Sequence, residues 1–184
     1  MEQYGQASDV RRQSMSIKVL ESDLPSESIL NDRVAPTDFL DCFSVSSSLP
    51  PRKAANTIVD FPGWARMLLM FRKVATAPFG LSNDGPPAAD KIGPFPVEIE
   101  TTNELIAGFN DKHLDFRVSV ISRTGKVYLA TWVHPHNFGG RLYLACILPF
   151  HVLIARNALS RVAIRGDVVK LFDTPQLSGM LRFE

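Results

Sequence analysis

HLDFRVSVISRTGKVYLATWVHPH, residues 113–136, is the stretch of sequence that decides the fold. Apolar and polar residues alternate on both sides of Thr124 and Gly125, as they do in strands with one buried face. Glycine tolerates the positive φ that a two-residue hairpin turn requires. The stretch therefore predicts two antiparallel strands, about 113–122 and 126–134.

The register of this hairpin can be tested on the sequence, because a slip by one residue moves every side chain to the other face. The register with Thr124 and Gly125 in the turn gives one nearly apolar face, and a slip by one mixes the faces. It makes the following residues cross-strand neighbours: His113 and His136, Asp115 and His134, Arg117 and Trp132, Phe116 and Val133, Val118 and Thr131, Val120 and Leu129.

The same alternation predicts further strands on both sides of the hairpin, and the short breaks between them favour an antiparallel meander. A turn at 110–111 places Glu104 opposite Arg117, and a turn at 137–140 places His134 opposite Tyr143 and His136 opposite Arg141. The predicted strands are 38–48, 95–100, 104–109, 113–122, 126–134 and 141–148.

Two helices complete the predicted fold. Trp64 to Ala77 has apolar residues at helical spacing, and 150–164 is apolar on most sides, with Pro149 at its start. We predict an α+β domain over 17–184, in which about six strands pack against a C-terminal helix and one earlier helix. Residues 1–16 are predicted to form a flexible tail.

The bulk composition excludes several classes of protein. The 184 residues are 45% hydrophobic and carry a formal net charge of +1, which gives no global field for nucleic acid. Only Cys42 and Cys146 could form a disulfide, and Cys146 lies in an apolar run typical of a buried thiol. The most apolar segment, Leu142 to Ala155, is too short to cross a bilayer. We predict a cytoplasmic protein without a membrane span or a nucleic-acid partner.

The face of the predicted sheet opposite the apolar one is unusually rich in histidine, arginine and aromatic residues. One interpretation is an ordinary solvent-exposed sheet face without a specific function. The other is a functional site. The candidate site residues are His113, Asp115, Arg117, Trp132, His134, His136, Arg141 and Tyr143.

Three functions are compatible with such a site. In a pocket for a small, partly apolar anion, Arg117 and Arg141 would hold the anionic group and Trp132 and Tyr143 would form the walls. In an enzyme, Asp115 would orient His134 as a base. In an interaction domain, for example a homodimer, the aromatic and arginine side chains would meet another chain.

A metal held by His134, His136 and Asp115 is a variant of the enzyme hypothesis. The HPH step is a weak signal, and we predict no metal and no cofactor. His151 is expected to be a satisfied core or capping histidine, outside the site.

The chain contains the motifs DFLDCF (38–43), FGL (79–81), HLDFRVSV (113–120), HPHNFGGRLYL (134–144) and PFH (149–151). Together they resemble a bacterial family of uncharacterised proteins, the domain-of-unknown-function 2867 family, over about residues 38–165. Members occur alone or fused behind short-chain-dehydrogenase-like domains, and the family has no assigned activity, so the resemblance implies none. The order of elements is similar to the helix-grip fold of START-like and Bet v 1-like domains, which often hold an apolar ligand.

Overall fold

A computed structural model describes residues 17–67 and 85–173 of the protein. An open sheet of seven antiparallel strands runs in the order β1-β2-β7-β6-β5-β4-β3. The predicted α+β class is confirmed, with one more strand than expected. The strands are β1 Leu20–Glu21, β2 Phe39–Ser46, β3 Lys91–Ile92, β4 Phe95–Glu100, β5 Glu104–Asn110, β6 Leu114–Arg123 and β7 Lys126–Pro135.

Three further elements pack on this sheet. A 3₁₀ helix, Ile29–Arg33, lies on one face, and the helices α1 (Pro51–Val59) and α2 (Phe138–Asp173) lie on the other. The predicted tail, 1–16, lies outside the described residues. The predicted helix from Trp64 to Ala77 is helical over 63–67, and its remainder also lies outside them.

The central hairpin has the predicted register. Thr124 and Gly125 form the turn with φ angles of 47° and 73°, and Arg117 pairs with Trp132 across the strands. Two consecutive positive φ angles match the right-handed twist of the strands on either side. The turn therefore fixes which side chains share a face along β6 and β7.

The register between β5 and β6 differs from the prediction. Glu104 lies opposite Ile121, and Gly108, not Glu104, lies opposite Arg117. The shift is an even number of residues, so it leaves every side chain on its predicted face. Glu104 and Arg117 still share a face, although they are not neighbours.

The predicted strand 141–148 is wrong, because these residues form the first part of α2. The side chain of Asn137 accepts a hydrogen bond from the backbone N–H of Gly140 at 3.0 Å, as a helix N-cap does. The predicted turn at 137–140 is thus a helix start, and Pro149 lies inside the helix rather than at its beginning. On the side of β7 where the strand 141–148 was predicted, β7 pairs with β2.

Helix α1 was not predicted. Pro51 stands in its first turn, where a missing N–H costs nothing. Ala54, Ala55 and Ile58 form its buried stripe. Arg161 of α2 donates to the carbonyl of Thr57 at 3.0 Å, so α2 satisfies an acceptor at the end of α1.

The main core lies between α1, α2 and the sheet face formed by Phe43, Leu105, Val120 and Leu129. Its helix side comes chiefly from the second half of α2, which buries Ala158, Leu159, Val162 and Ala163 against the sheet and α1. We call this side of the sheet the inner face. The sheet face that was predicted to be apolar therefore packs on helices, as expected.

The opposite, outer face is covered in part by the N-terminal segment, residues 22–38. Leu30 from the 3₁₀ helix packs with Cys42, Ile106 and Trp132 in a second, smaller core. Glu104, which is 4% exposed, anchors this segment. Its carboxylate accepts hydrogen bonds from the Ser28 hydroxyl at 2.6 Å, the Ile29 N–H at 2.8 Å and the Ser119 hydroxyl at 2.6 Å.

Helix α2 is long and apolar enough over 138–169 to span a membrane, judged by length and composition alone. One such helix is weak evidence, since the core helix of a soluble protein or a signal sequence passes the same test, and 22% of its most apolar window is buried. A membrane span is not confirmed. Of the two free cysteines, Cys42 is buried and Cys146 is exposed, so the expectation of a buried Cys146 is wrong.

Replacing Glu104 by Gln should destabilise the protein by about 1–3 kcal/mol, because an amide nitrogen then faces buried donors that need an acceptor. Urea denaturation measures the change. Glu100→Gln, at an exposed carboxylate that pairs with Arg52, is the matched control and should have a much smaller effect. Equal losses in the two variants would show that Glu104 does not anchor the N-terminal segment.

Gly140→Ala should destabilise the protein by about 1–3 kcal/mol, because its Cβ would overpack the site. That Cβ would lie 2.3 Å from the backbone oxygen of His113. Gly139→Ala is the control: its Cβ meets only the Asn137 side chain, so it should be neutral or stabilising by up to about 1 kcal/mol. Thermal unfolding of both variants tests the contrast, and a stabilised Gly140→Ala protein contradicts it.

Candidate functional site

The outer face brings together five of the eight predicted site residues: Asp115, Arg117, Trp132, His134 and His136. The rings of Trp132 and His134 stack with centroids 6.3 Å apart. The rings of His134 and His136 are 5.7 Å apart. The aromatic and charged side chains thus form one row along the ends of β6 and β7.

Asp38, which was not predicted, organises one end of this row. Its carboxylate lies 2.6 Å from His134 Nδ1 and accepts hydrogen bonds from Trp132 Nε1 at 2.8 Å and from the Ala35 N–H at 2.9 Å. Burial acts to raise the pKa of Asp38, but these hydrogen bonds hold it below its usual value. The side chain of Asp38 is 1% exposed and that of His134 is 43% exposed.

Asp115 and His134 are cross-strand neighbours, as predicted, but they do not form the predicted ion pair. Asp115 Oδ1 lies 3.0 Å from His136 Nε2 instead, while His134 pairs with Asp38. The Asp115 carboxylate raises the pKa of His136 above its ordinary value of 6.5. The outer face therefore holds two separate histidine–carboxylate pairs.

Arg117 is engaged by a carboxylate of the protein itself. Its Nε donates to Glu98, which also pairs with Arg33 of the N-terminal segment. Burial acts to raise the pKa of Glu98, and the two arginines hold it below its usual value. Gly108 makes room for this arrangement, since a Cβ there would lie 2.2 Å from the Phe116 carbonyl oxygen.

The other three predicted site residues lie away from this row. Arg141 and Tyr143 are on α2, where Arg141 is exposed and Tyr143 packs beside Leu114 and Val133 of the inner face. His113 lies in the loop before β6, with its Nδ1 3.2 Å from the Asn137 amide. No group of three or more metal-ligating side chains occurs among residues 17–67 and 85–173.

A cavity of about 660 Å³ lies on the inner face, between the sheet and the first half of α2. This volume is within the range of sites for small molecules. Leu142 and Phe150, both more than half exposed, stand at its rim. Its apolar lining includes Phe39, Ile58, Leu105, Ala107, Phe109, Phe116, Val118, Val120, Leu129, Val133, Leu144, Ile147, Ile154, Ala155 and Ala158.

A few polar side chains interrupt this apolar lining: His113, Thr131, Tyr143 and His151. Two predicted site residues, His113 and Tyr143, are thus in the wall of the cavity rather than on the outer face. The described wall contains neither arginine nor lysine. A ligand here meets mostly hydrocarbon and a small number of polar groups.

The most distinctive polar feature beside the cavity is a pair formed by Asp41 and His151. Asp41 Oδ2 lies 3.1 Å from His151 Nε2, with side chains 13% and 25% exposed. Asp41 reaches the inner face because it is opposite Thr131 in the β2–β7 pairing. The ring of Phe39 packs edge-on against the imidazole at 6.4 Å.

Sequence reasoning missed Asp38, Asp41 and the role of His151 in the cavity wall. The alternation of DFLDCFSV, 38–45, places Asp41 with Phe39 and Phe43 on one face, so a carboxylate among core side chains was visible. The sequence did not indicate that His151 is the partner of Asp41, because no local pattern shows that β2 pairs with β7 or that α2 crosses β2 at His151.

These features define a class: an α+β protein in which an open antiparallel sheet and a long helix enclose an apolar cavity. The chain belongs to the family described as protein of unknown function (DUF2867), whose model matches residues 33–158, more than half of the sequence. The searches of curated proteins and of solved structures each found no match. The resemblance to this family is confirmed, and the analogy to the helix-grip fold has no support from solved structures.

The raised pKa of His136 predicts how Asp115→Asn changes stability with pH. The extra stability from protonated His136 is full below about pH 6.5 and is lost as the pH rises through the folded pKa. Wild type should therefore exceed Asp115→Asn in Tm at about pH 5.5, by a margin that shrinks by about pH 8.5. An NMR titration should show a lower pKa for His136 in the variant, and an unchanged pKa contradicts the assignment.

Proposed function

We propose that this protein binds a small, mainly apolar molecule in the cavity between the inner face and α2. The observation that carries the proposal is the cavity itself: about 660 Å³, lined by hydrocarbon and four polar side chains. Ligand sites are commonly apolar concavities with a few polar groups that fix orientation. A polar group on the ligand would contact Thr131 or His151 at the wall.

The charge of the ligand follows from which side chains face the cavity. Arg117, expected to hold an anion, lies on the outer face against Glu98, and Arg141 is exposed on α2. Asp41 adds a carboxylate beside the wall. These positions favour a neutral ligand over an anionic one.

The location of the protein is part of the same proposal. Cys42 and Cys146 are unpaired, which is typical of a reducing compartment. Burial raises the pKa of Cys42 to about 12, so this thiol stays protonated. The two free thiols favour the cytoplasm.

Two fluorescent probes that differ by one sulfonate test the proposal: neutral N-phenyl-1-naphthylamine and anionic 1-anilinonaphthalene-8-sulfonate. The wild type should bind the neutral probe with saturable fluorescence and more tightly than the anionic one. Val118→Trp, which fills the cavity from β6, should weaken binding about tenfold or more, equivalent to about 1.4 kcal/mol. Ala107→Phe fills it independently from β5.

Leu153→Trp is the control, because it adds the same side chain at an exposed position on α2. It should leave the affinity for the neutral probe unchanged. Circular dichroism and Tm report whether each variant is folded. Folded cavity-filling variants that bind the neutral probe as tightly as wild type would overturn the proposal.

A further inference from the structure

The facing atoms of Asp41 and His151 are buried without a hydrogen bond. Asp115 Oδ1, Asn157 Oδ1 and Arg161 Nε share this state, but of these five residues only His151 lines the cavity. Both carboxylate oxygens of Asp41 and Nε2 of His151 have no hydrogen-bond partner among the described residues. The Oδ2–Nε2 distance of 3.1 Å allows an ion pair, but the groups are not aligned as donor and acceptor. Asp38, in contrast, has three partners on the outer face.

Leaving buried polar atoms without hydrogen bonds is costly, because the groups lose their hydrogen bonds to water and gain none in return. Such groups in a native protein call for an explanation, and a catalytic role is one of the usual ones. In a protein without its ligand, catalytic hydrogen bonds are often poorly aligned and tighten only when the substrate is bound. The position of His151 in the wall of the cavity fits this case.

We infer that His151 is a general base that removes a proton from a carbon acid bound in the cavity, and that Asp41 positions it. The inference rests on the proposed ligand site. When Nε2–H points to Asp41, the neutral imidazole has its lone pair on Nδ1. His151 is the catalytic residue, because it lines the cavity, and Asp41 acts through it.

The substrate class follows from the surroundings of the pair. The apolar wall favours a neutral, compact molecule, and Thr131, opposite Asp41 in the sheet, adds a hydroxyl to the wall. This hydroxyl can donate to a carbonyl oxygen. The expected substrate is a small apolar β,γ-unsaturated carbonyl compound: the proton on the α-carbon moves to His151, the C–H electron pair forms the dienolate, and return of the proton to the γ-carbon completes an isomerisation.

A probe reaction tests the base without knowledge of the natural substrate. In 5-nitrobenzisoxazole, a base takes the proton from carbon 3, the C–H electrons form the nitrile, and the N–O bond breaks to give 2-cyano-4-nitrophenolate. Protonated His151 then returns its proton to water. The coloured phenolate gives the rate directly, and imidazole at the same molar concentration is the reference.

The wild type should exceed the imidazole reference, and His151→Gln should lower kcat/KM about tenfold or more, because glutamine cannot act as the base. His151→Ala should regain activity when free imidazole is added. Asp41→Asn should lower kcat with little change in KM, which a merely structural role would not produce. Asp32→Asn, at an exposed carboxylate in the 3₁₀ helix, is the control and should leave the rate unchanged.

Binding of N-phenyl-1-naphthylamine, measured on the same samples, separates the two proposals. Saturable binding together with a rate no higher than imidazole, or a rate that His151→Gln leaves unchanged, overturns the general base and leaves the ligand site standing. If the folded wild-type protein neither binds N-phenyl-1-naphthylamine nor exceeds the imidazole rate, both proposals are overturned. Binding with a rate that depends on His151 supports both.

Discussion

The two-residue turn at Thr124 and Gly125 is the constraint on which the rest of the structure depends. It sets the pairing of β6 with β7, and through it the faces on which Arg117, Trp132 and Thr131 lie. Because the side-chain period is two, the same turn sorts the sheet into an inner face that bounds the cavity and an outer face of ion pairs. The turn therefore decides which side chains can face the cavity and which can join the ion pairs of the outer face.

The sequence was sufficient to predict what depends on local pattern. The alternation of apolar and polar residues predicted β4 to β7, and the turn residues Thr124 and Gly125 predicted the register between β6 and β7. The even shift in the β5–β6 register shows why the face of a side chain is easier to predict than its cross-strand neighbour. A displacement by an even number of residues leaves Glu104 on the same face of the sheet. The length of the loop between β5 and β6 determines which residues are cross-strand neighbours, but it does not alter the alternation of apolar and polar residues.

The errors have two physical causes. Residues 142–148 are apolar on all sides, and such a run has no helical period that would distinguish a helix from a strand. The helix cap formed by Asn137 and Gly140 was the signal that could have decided it. The pairing of β2 with β7, and with it the meeting of Asp41 and His151, depends on contacts between residues far apart in sequence. The candidate site on the inner face was therefore the part least accessible to sequence patterns.

The two outermost strands have a consequence for how the protein behaves beside other copies. The sheet ends on each side in a strand of only two residues, β1 and β3. Glu21 puts a charge on one edge and Lys91 puts one on the other. Short, charged edge strands are poor templates for a further strand, so β1 and β3 disfavour pairing with another copy at the positions of β2 and β4 that they cover.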